Sequence, residues 1–261
     1  MLVGCDYIAE DERMISNPVL PETSQGEGQG DEESGLTKRV VLLEDFTGQR
    51  CPNCPDVTKV IEQLHEVYGN VMVAVAIHGG QMAVASNKGG LTTGAGEDYN
   101  NHWKLTEWPM VMIDRHSLYA GIGDMQKWVD ELKNELEKPT LLRLEGTATL
   151  ADNTISITVK VEGINGSTTG KLQVWVLEDG IKAPQLSLKE GAIQEYIHNH
   201  VLRTAVNGTW GEDISVNEGE IVERTFTQAL ELNWNKDNLS IVAFVYNDDG
   251  VQQVTKFIVG D

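Results

Sequence analysis

Val40-Val41-Leu42-Leu43-Glu44-Asp45-Phe46-Thr47-Gly48-Gln49-Arg50-Cys51-Pro52-Asn53-Cys54-Pro55 is the stretch on which the reading of this 261-residue chain turns. Its first four residues are apolar and β-branched or leucine, and the run breaks at Thr47-Gly48. That pattern predicts a short buried strand leaving a sheet. A C-x-x-C follows at once. Two intervening residues let a single turn of chain bring both sulfurs within bonding distance. Val57, Val60, Ile61, Leu64 and Val67 then recur at helical spacing, and Gly69 is the expected C-terminal cap. A cysteine at the start of a helix sits where unpaired N–H groups and the helix dipole favour a thiolate. Pro52 suits the first helical position, because its missing N–H would be unpaired there in any case. Arg50 adds a neighbouring positive charge.

Val71–Ile77 is a second apolar run, and Trp108-Pro109 leads into a third, Met110–Ile113. Asp124 begins a helix with Met125, Trp128, Val129, Leu132 and Leu136 on one face, stopped by Pro139. Between these, Gly79–Asn101 is glycine-rich and reads as an insertion. Its Gly94-Ala95-Gly96 lacks the third glycine of a dinucleotide fingerprint, so no cofactor is expected.

The order strand, C-x-x-C helix, strand, X-Pro strand, helix resembles a thioredoxin-like fold. The resemblance implies roles for four residues. Cys51 attacks the substrate and Cys54 resolves the mixed disulfide. Pro109 is a cis-proline beside the pair. Asp45, six residues before Cys51, takes the Cys54 proton if it is buried, although a solvated acid at the strand end is the favoured reading of the residue itself. Arg50 stands where an aromatic is usual, Trp108 where a smaller residue is usual, and Pro55 is a second proline in the first helical turn. These departures imply a narrower substrate groove. The residues alone leave two alternatives open: a static disulfide, or half a zinc site completed by His65 or His78.

The N-terminus reads differently. Leu2-Val3-Gly4-Cys5 fits the lipobox of bacterial lipoproteins, which makes Cys5 the acylated residue and the membrane a partner. Residues 6–38 hold nine acidic side chains against two basic ones, with a Ser24–Gly30 stretch that has nothing to bury. They read as a flexible acidic tether.

After Pro139 the pattern changes. Ile155, Ile157, Val159 and Val161 alternate with Thr154, Ser156, Thr158 and Lys160, a period-two strand signal. Leu239–Tyr246 and Val251–Val259 flank Asn247-Asp248-Asp249-Gly250, a hairpin signal. Helical periodicity is absent, and the expectation is an antiparallel β-sandwich of about seven or eight strands. In Glu195–Arg203, His198 and His200 face the same side if the segment is a strand. With no carboxylate at strand spacing, a polar stretch packing on the other domain is favoured over a metal site. Trp175 and Trp210 read as core residues, with carbohydrate stacking the alternative.

The expected organisation is therefore a tether (1–38), a thioredoxin-like α/β domain (39–139) and an all-β, antiparallel sandwich-like domain (140–261). Their charges are 2 basic against 9 acidic, 9 against 14, and 9 against 17, for a net of −20. Acidity spread in this way removes the basic footprint that nucleic acid requires. No apolar run approaches the ~18–20 residues of a membrane-spanning helix. The whole pattern, with FTGQRCPNCP, YIHNHVLR and NGTWGE, resembles the twenty-eight-kilodalton outer-membrane protein (Omp) family of Bacteroidetes lipoproteins. The resemblance implies an outer-membrane or cell-surface location with a lipid anchor. Two function classes follow: thiol-disulfide exchange with a protein partner, or a surface adhesin, receptor or ligand-binding role with a structural Cys51–Cys54 bond.

Overall fold

The computed structural model describes residues 37–260. Cys5 and the acidic segment as far as residue 36 lie outside them. The described chain is mostly β, with three α-helices and one large mixed sheet.

The apolar run that opens the chain forms β1 (Val41–Thr47), buried at all seven positions as a central strand must be. It pairs in parallel with β2 (Met72–His78) and antiparallel with β3 (Met110–Ile113), which carries β4 (Ser117–Ala120) at the sheet edge. Strand alternation sorts the side chains. Val41, Leu43, Met72 and Ala74 face α1 (Cys54–Tyr68) and α3 (Met125–Leu136), where Leu64, Trp128 and Leu132 are fully buried. Leu42, Phe46, Val73, Val75 and Ile77 point the other way.

Two local expectations need correction. Helix α1 begins at the second cysteine, with Asn53 as its N-cap, so Pro55 and not Pro52 occupies the first turn. The glycine-rich insertion contains α2 (Gly94–His102). Glycine and asparagine lower its intrinsic propensity, and two tertiary features override that. Thr93 accepts a hydrogen bond from the Gly96 N–H, and Tyr99 is buried with its hydroxyl donating to the Thr209 carbonyl while accepting from the Trp175 indole.

The chain after α3 contributes ten strands among the described residues, more than the seven or eight expected. β5 (Leu142–Ala151), β6 (Thr154–Gly163) and β12 (Ile221–Ala229) form one antiparallel layer. β7 (Thr168–Glu178) pairs with β10 (Val201–Ala205), β11 (Glu212–Val216) and β13 (Leu239–Asn247). β13 turns through Asp248-Asp249 into β14 (Gly250–Gly260). Leu144, Ile155 and Ile157 of the first layer meet Val174, Ile241 and Val245 of the second in one core. The arrangement is not wholly antiparallel. β14 touches β5 in parallel at its last residues, and β10 meets β2 in parallel through Val201 and Ala76. The sheet therefore runs unbroken from β12 to β4, across residue 139. β8 (Ile181–Ser187) and β9 (Gly191–His198) stand apart as a separate two-stranded hairpin.

A second core seals the two parts of the chain together. Leu42, Phe46 and Val75 pack with Trp175, Leu177, Val242 and Phe244. Arg115 lies buried among them, with the Tyr246 and Phe244 ring centroids 4.4 Å and 4.8 Å from its guanidinium and the Glu44 carboxylate 3.3 Å away. Near the chain entry, Arg39 donates to Asp114 at 2.6 Å and to the carbonyls of Val251 and Gln252.

Candidate functional site at the Cys51–Cys54 disulfide

Thr47-Gly48 ends β1 and turns the chain toward α1. Cys51 and Cys54 are joined as a disulfide. Gly48 is required by close approach, since a Cβ there would lie 2.4 Å from the Met82 carbonyl. The Arg50 N–H donates to the same carbonyl at 2.8 Å, and the Arg50 side chain is exposed. The Trp108–Pro109 peptide is cis, and Pro109 is buried one residue beyond the Phe46–Met110 pair. Pro109 and Val57 of α1 both close on Gly121.

Asp45 lies beneath the start of α1. Its side chain is buried, its Oδ1 has no hydrogen-bond partner, and burial pushes its carboxyl up to about 7. Asp45, Cys54, Thr58, His78 and His198 line a single cavity of about 30 Å³. That is room for about one water molecule. Both ring nitrogens of His78 and the Nε2 of His198 are buried without partners. Burial lowers His78 to about 3, with the charges of His198 and Arg203 adding to the effect. It lowers His198 to about 4, opposed by hydrogen bonds to the backbone at Ala183 and Pro184. Around neutral pH both imidazoles are uncharged.

Of the residues singled out from sequence, Cys54 and Asp45 therefore come together, with Cys51 bonded to Cys54 and Pro109 just before the adjoining strand β3. Cys5 lies outside the described residues. His198 and His200 do not share a strand face: β9 ends at His198, and His200 sits in the turn to β10 with φ +56°. Instead the His198 ring packs on His78, its centroid 5.4 Å away, and His200 pairs with Asp179 at 2.9 Å. Trp175 is in the core and Trp210 packs beside it, half-buried.

Sequence reading missed the covering of the disulfide. Cys51 and Cys54 are each only 1% exposed. The hairpin β8–β9 lies across the loop that holds them. The Leu186 N–H donates to the Gln49 carbonyl and the Leu188 N–H to the Pro52 carbonyl, both at 2.8 Å. The buried Gln185 amide donates to the Cys51 carbonyl at 2.9 Å, and Lys189 reaches Asp56 at 3.1 Å. The signal was faint. Lys182–Leu188 alternates weakly and holds a proline, which suits an edge strand but names no partner.

The match to known proteins falls on the later part of the chain. The model of the family described as Outer membrane protein Omp28 matches residues 96–261, well over half the sequence. The chain belongs to the Omp28 family. Membership places it at the outer membrane. No helix among the described residues is long and apolar enough to cross a membrane. The Omp28 match includes Pro109 and the β8–β9 hairpin and leaves Asp45, Cys51 and Cys54 outside it. In fold, the chain is similar to HBP35 of Porphyromonas gingivalis, with a TM-score of 0.64 and 14% identity over 86% of this chain and 76% of that one. A domain of the outer membrane lipoprotein Omp28 from Porphyromonas gingivalis is 29% identical over 46% of this chain and 89% of that domain, with a TM-score of 0.34. No curated protein matches the sequence.

Proposed function

We propose that this Omp28-family protein is a lipoprotein, anchored through Cys5, whose N-terminal part is thioredoxin-like and exchanges disulfides through Cys51 and Cys54. The observation that carries the reading is the buried Asp45 carboxyl, its Oδ1 without a hydrogen-bond partner, sharing a cavity with Cys54. The layering supports it as well: β2, β1, β3 and β4 side by side, α1 and α3 on one face, α2 on the other.

In the forward direction the Cys51 thiolate attacks one sulfur of a partner's disulfide. The S–S bond of the partner breaks, and its departing sulfur leaves with the electron pair and takes a proton. Asp45 then accepts the Cys54 proton. The Cys54 thiolate attacks the Cys51 sulfur and re-forms the Cys51–Cys54 bond, releasing the partner as a dithiol. The partner gains two electrons and the pair loses two. Running backwards, the same steps oxidise a partner dithiol.

The burial of both cysteines favours a second reading, in which the bond is purely structural and the protein is a surface adhesin, receptor or ligand-binding lipoprotein. Trapping separates the two. In Cys54→Ser, a reactive Cys51 should capture oxidised glutathione as a stable mixed disulfide, seen as a mass increase on the folded protein. A Cys51 that stays free through pH 9 contradicts exchange.

A further inference from the structure

Three features of the β8–β9 hairpin belong together. It is paired only with itself, as a two-stranded sheet outside the twelve-stranded one, and such hairpins are marginally stable alone. Its outer edge is satisfied by the active-site loop: alternate amides, Leu186 and Leu188, donate to carbonyls of Gln49 and Pro52 on either side of Cys51. It also carries Leu186, Leu188 and Ile197, three of the six large hydrophobic residues exposed among the described residues, at 40%, 71% and 44%. The other three, Ile221, Leu232 and Ile258, lie on separate segments of the chain, whereas these share one hairpin, as at a contact surface.

We propose that the hairpin is a displaceable cover, and that a partner polypeptide in extended conformation takes its place against the carbonyls of Gln49 and Pro52. The loop already binds an extended strand, since β8 is one. The chemistry at that edge is main-chain hydrogen bonding, which any extended segment supplies, as in strand addition. The apolar side chains of the lifted hairpin then have a partner surface to cover. A thiolate must reach a disulfide sulfur to attack it, and with Cys51 only 1% exposed the cover has to move first. Lifting it also withdraws Gln185, Tyr196 and His198, which wall the cavity under Cys54. The inference rests on the exchange reading for its partner, and the gating itself is measurable without it.

The test compares full-length wild type with Leu188→Pro, which removes one docking amide at an exposed position, and with Gln185→Met, which keeps the volume and removes the side-chain bonds to the Gly48, Cys51 and Leu186 carbonyls. Reduction of the Cys51–Cys54 bond by dithiothreitol is followed alongside hydrogen exchange of the Leu186 amide, with circular dichroism confirming that each variant is folded. Loss of the single Leu188 bond should speed both processes about tenfold and by similar factors, and loss of the Gln185 bonds by at least as much. Unchanged reduction in folded variants whose Leu186 amide exchanges faster overturns the cover. If one variant does not fold, the other decides. The glutathione potential is read separately. A potential below about −300 mV together with faster reduction in the variants means the cover is real and the exchange reading fails. A potential in the exchange range with unaltered reduction means the reverse.

Discussion

Asp45 carries two consequences at the scale of a single residue. Its carboxyl titrates near 3.8 in the unfolded chain and is raised to about 7 in the folded one, so in between the folded state holds the extra proton. Stability from this group therefore falls as pH rises from about 4 to 7, at up to about 1.4 kcal/mol per pH unit. His78 and His198, lowered by burial, work in the opposite sense below pH 6.5, so the wild-type profile mixes the two. Substitution isolates the carboxyl. Asp45→Asn should be markedly more stabilising at pH 8 than at pH 4, by roughly 4 kcal/mol in urea unfolding. Equal effects at both pH values would mean that Asp45 is not a buried acid. Its place before the C-x-x-C was legible in sequence because strand and motif are contiguous. Spacing offers His78 only as a zinc ligand, because its ring partner on β9 lies 120 positions away.

Contiguity also decided which elements were readable. β1, α3 and the β13–β14 hairpin followed from local periodicity, caps and turn residues. The start of α1 is not legible locally because both prolines suit a first turn, and Asn53 makes no side-chain capping bond that would mark the boundary. Helix α2 was hidden because what stabilises it is distant: the Thr209 carbonyl and the Trp175 indole, both from the later part of the chain, hold Tyr99. Tyr99→Phe removes that hydroxyl from a buried site. It should cost about 1–3 kcal/mol, with the loss of amide protection concentrated in α2. Protection lost evenly across the molecule would point to a role beyond this helix.

For the whole molecule, a boundary at residue 139 is a change of sequence pattern that the sheet does not respect. β10 continues the sheet beyond β2, and one face of β1 and β2 is covered by Trp175, Leu177, Val242 and Phe244. Residues 37–139 expressed alone should therefore expose an apolar sheet face and associate or remain unfolded. The intact chain should unfold in one transition by fluorescence and circular dichroism together. A soluble, cooperatively folded 37–139 fragment would show that the shared core is dispensable. This continuity also sets the context of the disulfide, because its cover comes from the segment between β7 and β10. Exchange as proposed requires the covered pair to be a working redox couple. Equilibration of the purified protein in glutathione buffers, with the Cys51–Cys54 state read by thiol alkylation, tests this most directly. A working exchange pair has a midpoint within the span of glutaredoxins and disulfide isomerases, about −180 to −230 mV, whereas a midpoint below about −300 mV means that the bond is structural.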